Sequence, residues 1–209
     1  MVVRTIIALL VMLLAGVRSA GSVIAYWDFN GASLTASQGT GSITHNLVAS
    51  SVSYVSGTPF NVPGNEPAGS ALRISKFQNN GRHVDVRFDA TGVENVILTF
   101  ATQRDAWGFM TNQISVSSDS GATFSNYAPP YDPRLFWNVP YFDLSTYTNL
   151  NNNSDGWVRF TFWGGTGPNP GFNDLDNLLV SGDSIPTPEP GSSLTLAFLT
   201  LSAIARRKR

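Results

Sequence analysis

Apolar and polar residues alternate with a period of two along much of this chain, in short runs separated by Gly, Pro, Asn and Ser. VIAYWDF places Val23, Ala25, Trp27 and Phe29 on one face and Ile24, Tyr26 and Asp28 on the other. RHVDVRF points Val84, Val86 and Phe88 inward and His83, Asp85 and Arg87 outward, and WVRFTFW alternates Trp157, Arg159, Thr161 and Trp163 with Val158, Phe160 and Phe162. VILTFAT, residues 96–102, is apolar enough for a central strand, and DNLLVSG closes the series. No uninterrupted window carries a 3.6-residue period. The pattern predicts an all-β fold, an antiparallel sandwich, with a jelly roll preferred over an immunoglobulin-like order that periodicity alone does not separate from it.

Both ends break the pattern. MVVRTIIALLVMLLAGVRSAGS carries Arg4, an apolar run from Thr5 to Val17 and small residues from Ser19 to Ser22. That is the layout of a signal peptide over residues 1–22, addressed to the Sec export machinery. A retained N-terminal anchor is the competing reading, for which the run is short. At the other end Pro186, Pro188 and Pro190 fix φ and remove backbone donors, so residues 184–190 form an extended spacer. Residues 191–205 are uncharged and apolar, and Arg206, Arg207, Lys208 and Arg209 follow at once. A helix over that segment reaches about 22 Å, against a bilayer core of about 30 Å, so it spans only with thinning or snorkelling. The positive-inside rule keeps the terminal cations in the cytoplasm and puts residues 23–183 across the membrane. A C-terminal amphipathic helix docked on the domain is the alternative, and it lacks a polar face.

Removing both ends changes the charge. Residues 23–183 hold 7 Lys and Arg against 13 Asp and Glu, so the formal −1 of the full chain becomes −6. A domain this acidic, with no run of cations, argues against a nucleic-acid binder. The chain has no cysteine, which excludes a disulfide framework, a thiolate metal site and a cysteine nucleophile. Burial must hold the domain together, and five Trp with 11% aromatics supply the means.

Ser117 to Phe124, SSDSGATF, fits the Ser-x-Asp-x-Gly-x-Thr-aromatic pattern of an Asp-box. Asp119 can bond backbone donors across the turn, Gly121 supplies positive φ, and the reading is a structural β-hairpin. A single copy argues against a propeller. His45 and His83 are the only histidines, and neither accompanies a nucleophile motif. Asp174 and Asp176, about 7 Å apart on one strand face, match the spacing of an inverting glycosidase pair, though structural carboxylates are commoner in such positions. The aromatic stretch YAPPYDPRLFWNVPYFDL, broken by Pro129, Pro130, Pro133 and Pro140, reads as a long structured loop. Trp107, Tyr131, Trp137 and Tyr141 are its and its neighbour's candidates for stacking on sugar rings; the alternative is that they pack down as local core.

The order Pro188-Glu189-Pro190, apolar segment, Arg-Arg-Lys-Arg resembles a PEP-CTERM sorting signal. The resemblance implies handling by an exosortase of a Gram-negative bacterium that makes extracellular polysaccharide, with the tail removed near the motif and the body delivered to the surface or matrix. The body, through AYWDFNG, SALRIS, VILTFATQRDAWGF and FNDLDNLLVSG, resembles the jelly-roll ectodomains found ahead of such tails. Similarity to carbohydrate-binding-module-like jelly rolls further implies a structural Ca²⁺ between first and last strands, held here by Asp28, Asn30, Asp174 and Asp176. The expected protein is a non-enzymatic surface or matrix β-sandwich with a structural or adhesive role; the alternative is a carbohydrate-binding module for matrix polysaccharide, and a glycoside hydrolase comes third.

If Pro188-Glu189-Pro190 is a processing signal, mass spectrometry of surface material will find the body without Arg206 to Arg209. An intact C-terminus on the surface form, or an unchanged destination after deletion of residues 186–209, overturns the sorting reading.

Overall fold

The computed structural model describes residues 21–186, apart from 65–66, 128 and 168–170. Residues 1–20 of the expected signal peptide, the Pro-Glu-Pro motif, the apolar tail and its basic end lie outside the described residues, while Ser22, the last residue of that expected peptide, begins the first strand. Among the described residues no helix is long and apolar enough to cross a membrane.

The chain is all-β. In order it forms β1 (Ser22–Trp27), β2 (Gln38–Gly39), β3 (Gly41–His45), β4 (Val52–Ser56), β5 (Ser70–Ser75), β6 (His83–Phe88), β7 (Val93–Arg104), β8 (Thr111–Ser117), β9 (Ser125–Asn126), β10 (Tyr141–Asp143), β11 (Gly156–Trp163) and β12 (Phe172–Ser184). Two antiparallel sheets result. One has the order β10-β7-β12-β1-β2, with β4 and β5 attached beside β12; the other has the order β3-β6-β11-β8-β9.

The long strand β12 organises the first sheet. Its Phe172–Leu175 half pairs with β5, its Leu178–Gly182 half pairs with β1, and β7 follows its other edge. The register shifts between Asp176 and Leu179, where Asn177 takes a φ of 47°. This is the bulge at which one partner gives way to the next. The loop after β4 folds over it: Thr58 N–H donates to Asp176 Oδ2 at 2.7 Å, and Asn177 Nδ2 donates to the Thr58 and Phe60 carbonyls at 2.7 and 2.8 Å.

The alternation of WVRFTFW and HVDVRF holds: Val158, Phe160 and Phe162, with Val84, Val86 and Phe88, face the core. VIAYWDF departs from its expected phase. Val23 is exposed and Ile24 buried, because a bulge between Val23 and Ala25 sets two residues of β1 opposite one of β12. After the bulge Ala25, Trp27 and Phe29 are core residues as expected, and the buried Trp27 indole donates to the Leu34 carbonyl at 3.2 Å.

Phe100 sits where the sheets meet. It stacks on Phe142 with centroids 5.7 Å apart and meets Phe160 of the opposite sheet edge-on at 5.1 Å. Tyr131 packs edge-on against both Phe100 and Phe142, so this ring belongs to the core and leaves the set of sugar-stacking candidates. Among the described residues the buried core runs from Ile24 to Val180, so residues 21–186 carry a continuous core of their own. A fragment of those residues is expected to unfold cooperatively in urea, and Phe100→Ala to cost about 3–5 kcal/mol through lost burial and cavity formation. A loss under about 1 kcal/mol would deny this ring its central place.

Candidate functional site

Strand β11 turns Trp157, Arg159, Thr161 and Trp163 outward because Val158, Phe160 and Phe162 are committed to the core. Its neighbours complete the outer face of the five-stranded sheet. Arg87, Asp85 and His83 lie opposite Trp157, Arg159 and Thr161 on β6, and Ser117, Ser115 and Gln113 lie opposite the same three on β8.

At the centre is an ion pair: Arg159 Nε and Nη2 donate to the two Asp85 carboxylate oxygens at 2.7 and 2.8 Å. This bidentate geometry neutralises Asp85, which is only 7% exposed. His83 Nε2 lies 3.6 Å from Asp85 Oδ2, yet burial outweighs that carboxylate and pulls the imidazole pKa down. At one end of the row Asp155 bridges Arg87 and Trp157, accepting from the indole Nε1 at 2.9 Å. The Ser120 hydroxyl, aided by Arg87 and Trp157, holds the Asp155 carboxyl below its usual range.

The Asp-box forms the wall of this face. Asp119 Oδ1 accepts from the Thr123 N–H at 2.9 Å and Oδ2 from the Thr123 hydroxyl at 2.6 Å, while Ser117 Oγ donates to Oδ1 at 2.6 Å. Led by the Ser117 hydroxyl, these bonds hold the Asp119 carboxyl down at about 2. Gly121, with φ of 80°, lies against the Trp157 ring. Phe124 covers the Arg159 guanidinium at 3.9 Å from ring centroid to Cζ. The hairpin thus fixes the aromatic and cationic groups of the face in addition to turning the chain. At the other end Trp163 is 49% exposed, with its ring over Gly81.

Two indoles six residues apart on one strand, about 20 Å, bracket a compensated ion pair and the polar groups of Thr161 and Gln113. Indole faces can stack on the C–H faces of sugar rings, and guanidinium and hydroxyl groups can bond sugar hydroxyls. The ion pairs cancel within the face and the ionised Asp119 beside them adds one negative charge, so it favours an uncharged polyol over a polyanion.

The residues expected from sequence are scattered. Tyr131 is core. Trp107 is exposed at the tip between β7 and β8, Tyr141 is exposed on the edge strand β10, and Trp137 is half-buried beside the same edge. Trp157, Arg159, Asp85, Phe124 and Trp163 escaped the search for candidates, although the alternation of WVRFTFW had already put two Trp on the polar face of a strand.

The expected calcium ligands are each committed to protein donors. Asp174 is fully buried and bidentate to Arg73 at 2.7 and 2.9 Å, and it accepts from Gln103 at 2.9 Å. Its charge is spent on a cation, which removes it from the metal set and from a glycosidase pair with Asp176. Asp28 accepts from the Asn30 N–H, Asn30 from the Ser70 N–H, and Asp176 from the Thr58 and Asn177 N–H groups. Among the described residues no three His, Asp or Glu side chains gather as a metal cluster.

No family model matches this chain, and no curated protein matches it. Solved structures do share its fold. The xylan-binding domain CBM22-1 of Xyn10C from Paenibacillus barcinonensis superposes with a TM-score of 0.51 at 10% identity, covering 82% of this chain and 100% of that one. The tandem CBM22-1-CBM22-2 domain of the same enzyme gives 0.52 at 11% identity over 84% of this chain and 49% of that one. An exo-beta-agarase gives 0.50 at 11% identity, with 80% of this chain matching 26% of the enzyme. At such identities the likeness is one of fold: an antiparallel β-sandwich of the kind used by carbohydrate-binding modules.

Burial raises the Asp176 carboxyl to about 7, with Asp28 and Asp174 adding repulsion. The folded state therefore keeps a proton that the unfolded chain releases near pH 4. Stability from this group is fully present below that value and is lost as pH rises through about 7, at up to about 1.4 kcal/mol per pH unit. Measured by urea unfolding, wild type should gain on Asp176→Asn as pH falls from 8 to 5. A difference that does not move with pH would show the carboxyl to be ordinary.

Proposed function

We propose that this protein is an exported, non-catalytic glycan-binding β-sandwich that holds a neutral polysaccharide across the outer face of its five-stranded sheet. The observation that carries the reading is the outward row of β11, where Trp157 and Trp163 flank the bidentate Asp85–Arg159 pair. The fold likeness to a xylan-binding domain supports it, since that architecture serves carbohydrate recognition in the proteins superposed. The burial and full occupancy of Asp174 argue against hydrolysis by the carboxylate pair considered from sequence. The jelly-roll order, Sec export and exosortase sorting through Pro188-Glu189-Pro190 belong to the same proposal: they would deliver the sandwich to the surface or matrix where such polymers lie. A purely structural or adhesive role is the second reading, and it accounts for Trp157, bonded to Asp155, but not for the exposed Trp163.

Native gels cast with xylan, other neutral polysaccharides, or an acidic one test the proposal on residues 21–186. Retardation is expected in at least one neutral gel. Trp163→Ala should weaken it roughly tenfold with little change in melting temperature, whereas Trp137→Ala, on the other sheet's edge, should keep it. Retardation that survives Trp163→Ala and is lost with Trp137→Ala would move the site to the other face. None with any polysaccharide would leave the structural role.

A further inference from the structure

One end of the sandwich has a surface unlike the rest. Four segments meet there, stitched by backbone bonds: Lys76 N–H to the Gly171 carbonyl at 3.1 Å, Thr166 N–H to Trp107 at 3.2 Å, Gly81 N–H to Phe162 at 2.7 Å and Arg104 N–H to Arg134 at 2.8 Å. They present Phe77, Trp107, Met110, Leu135, Phe136 and Trp163 at 39–61% exposure, most of the large apolar side chains exposed among the described residues. Apolar groups so concentrated mark a contact surface.

Charge is sorted the same way. Of the seven cations in residues 21–186, Arg73, Arg87, Arg104 and Arg159 are ion-paired to carboxylates. Among the described residues the other three, Lys76, Arg82 and Arg134, face no carboxylate, and all three lie at this end. Lys76 bonds the Ser50 hydroxyl, Arg82 bonds the Asn46 and Gln78 carbonyls, and Arg134 lies 5.7 Å over the Phe136 ring. At the opposite end, where β1 begins and β12 finishes, stand Asp89, Glu94, Asp119, Asp143 and Asp183. Asp105 and Asp132 also stand at this end, Asp132 paired with Arg104, so a chain with net negative charge still leaves its apolar tip with an excess of cations.

We propose that this end docks on the interface of an anionic lipid membrane. Leu135, Met110, Phe77 and Phe136 would enter the boundary between headgroups and acyl chains, Trp107 would sit at headgroup depth, and the three cations would meet phosphates. Leu and Met favour lipid over a sugar polymer, since neither offers a flat ring to stack. The acidic far end turns the molecule tip-first towards a negative surface. This surface meets the sheet face assigned to glycan only at Trp163, which the variants below leave unchanged, so either assignment can fail alone.

Sedimentation of residues 21–186 with phosphatidylcholine vesicles, with and without phosphatidylglycerol, is the test. Co-sedimentation is expected with the anionic vesicles only, weakened by salt and accompanied by a blue shift of tryptophan emission. Leu135→Ser with Phe136→Ser should abolish it. Lys76→Gln with Arg134→Gln should reduce it by roughly fivefold per cation without touching the apolar groups, which keeps the test sound if the serine variant folds poorly. No binding to anionic vesicles, or binding unaltered by a folded variant of either kind, overturns the proposal. Retention by an acidic polysaccharide in place of vesicles would do so as well, reassigning the tip to a polymer.

Discussion

The register of β11 is the constraint on which the remainder rests. Phe160 meets Phe100 across the sandwich, and Phe162 packs on Phe109 with centroids 5.5 Å apart, so a slip of one residue would turn both rings to water. With those rings committed, the intervening residues have no freedom of direction. Trp157, Arg159, Thr161 and Trp163 must face outward, and Arg159 must meet Asp85 from the neighbouring strand. Core packing thereby sets the geometry of the surface, and a binding face built this way starts from a rigid floor.

How far the sequence could be read depended on the range of the interaction deciding each residue. The strands of WVRFTFW and HVDVRF were legible because period-two alternation is local and the core rewards it directly. The phase of VIAYWDF was not, since the bulge at Ile24 arises from pairing with residues 180–181, far along the chain. The Asp-box was legible as a turn, because its bonds join residues within four positions of one another; its grip on Arg159 and Trp157 was not. The carboxylates fared worst. Asp174 looked like a ligand or an acid until its partner appeared 101 residues away in Arg73. Tyr131 lay in a Pro-broken, aromatic stretch, where nothing local distinguishes a ring that turns inward to Phe100 from one that stays in solvent.

The two ends of the sandwich solve different problems. Around the ends of the first and last strands, loops are polar and carboxylates repel neighbouring molecules, which suits a region joined to other segments of chain. At the far end the loops are tied to each other by backbone bonds, so their apolar side chains are displayed without being free to collapse inward. Rigid display of this kind keeps the ordering cost of contact low, whatever the partner.

Strands β1 and β12 lie side by side and antiparallel, with Ser22 opposite Gly182 and the Ser22 and Ser184 hydroxyls 2.6 Å apart. Neighbouring ends of this kind have a mechanical meaning. Tension applied between residues 22 and 184 would open the pair like a zipper, one hydrogen bond at a time, and meet little resistance. A pull entering through the tip and leaving through one end of the chain would instead act along the strands, loading many bonds in shear together. The sandwich is therefore strong or weak under force according to where it is held.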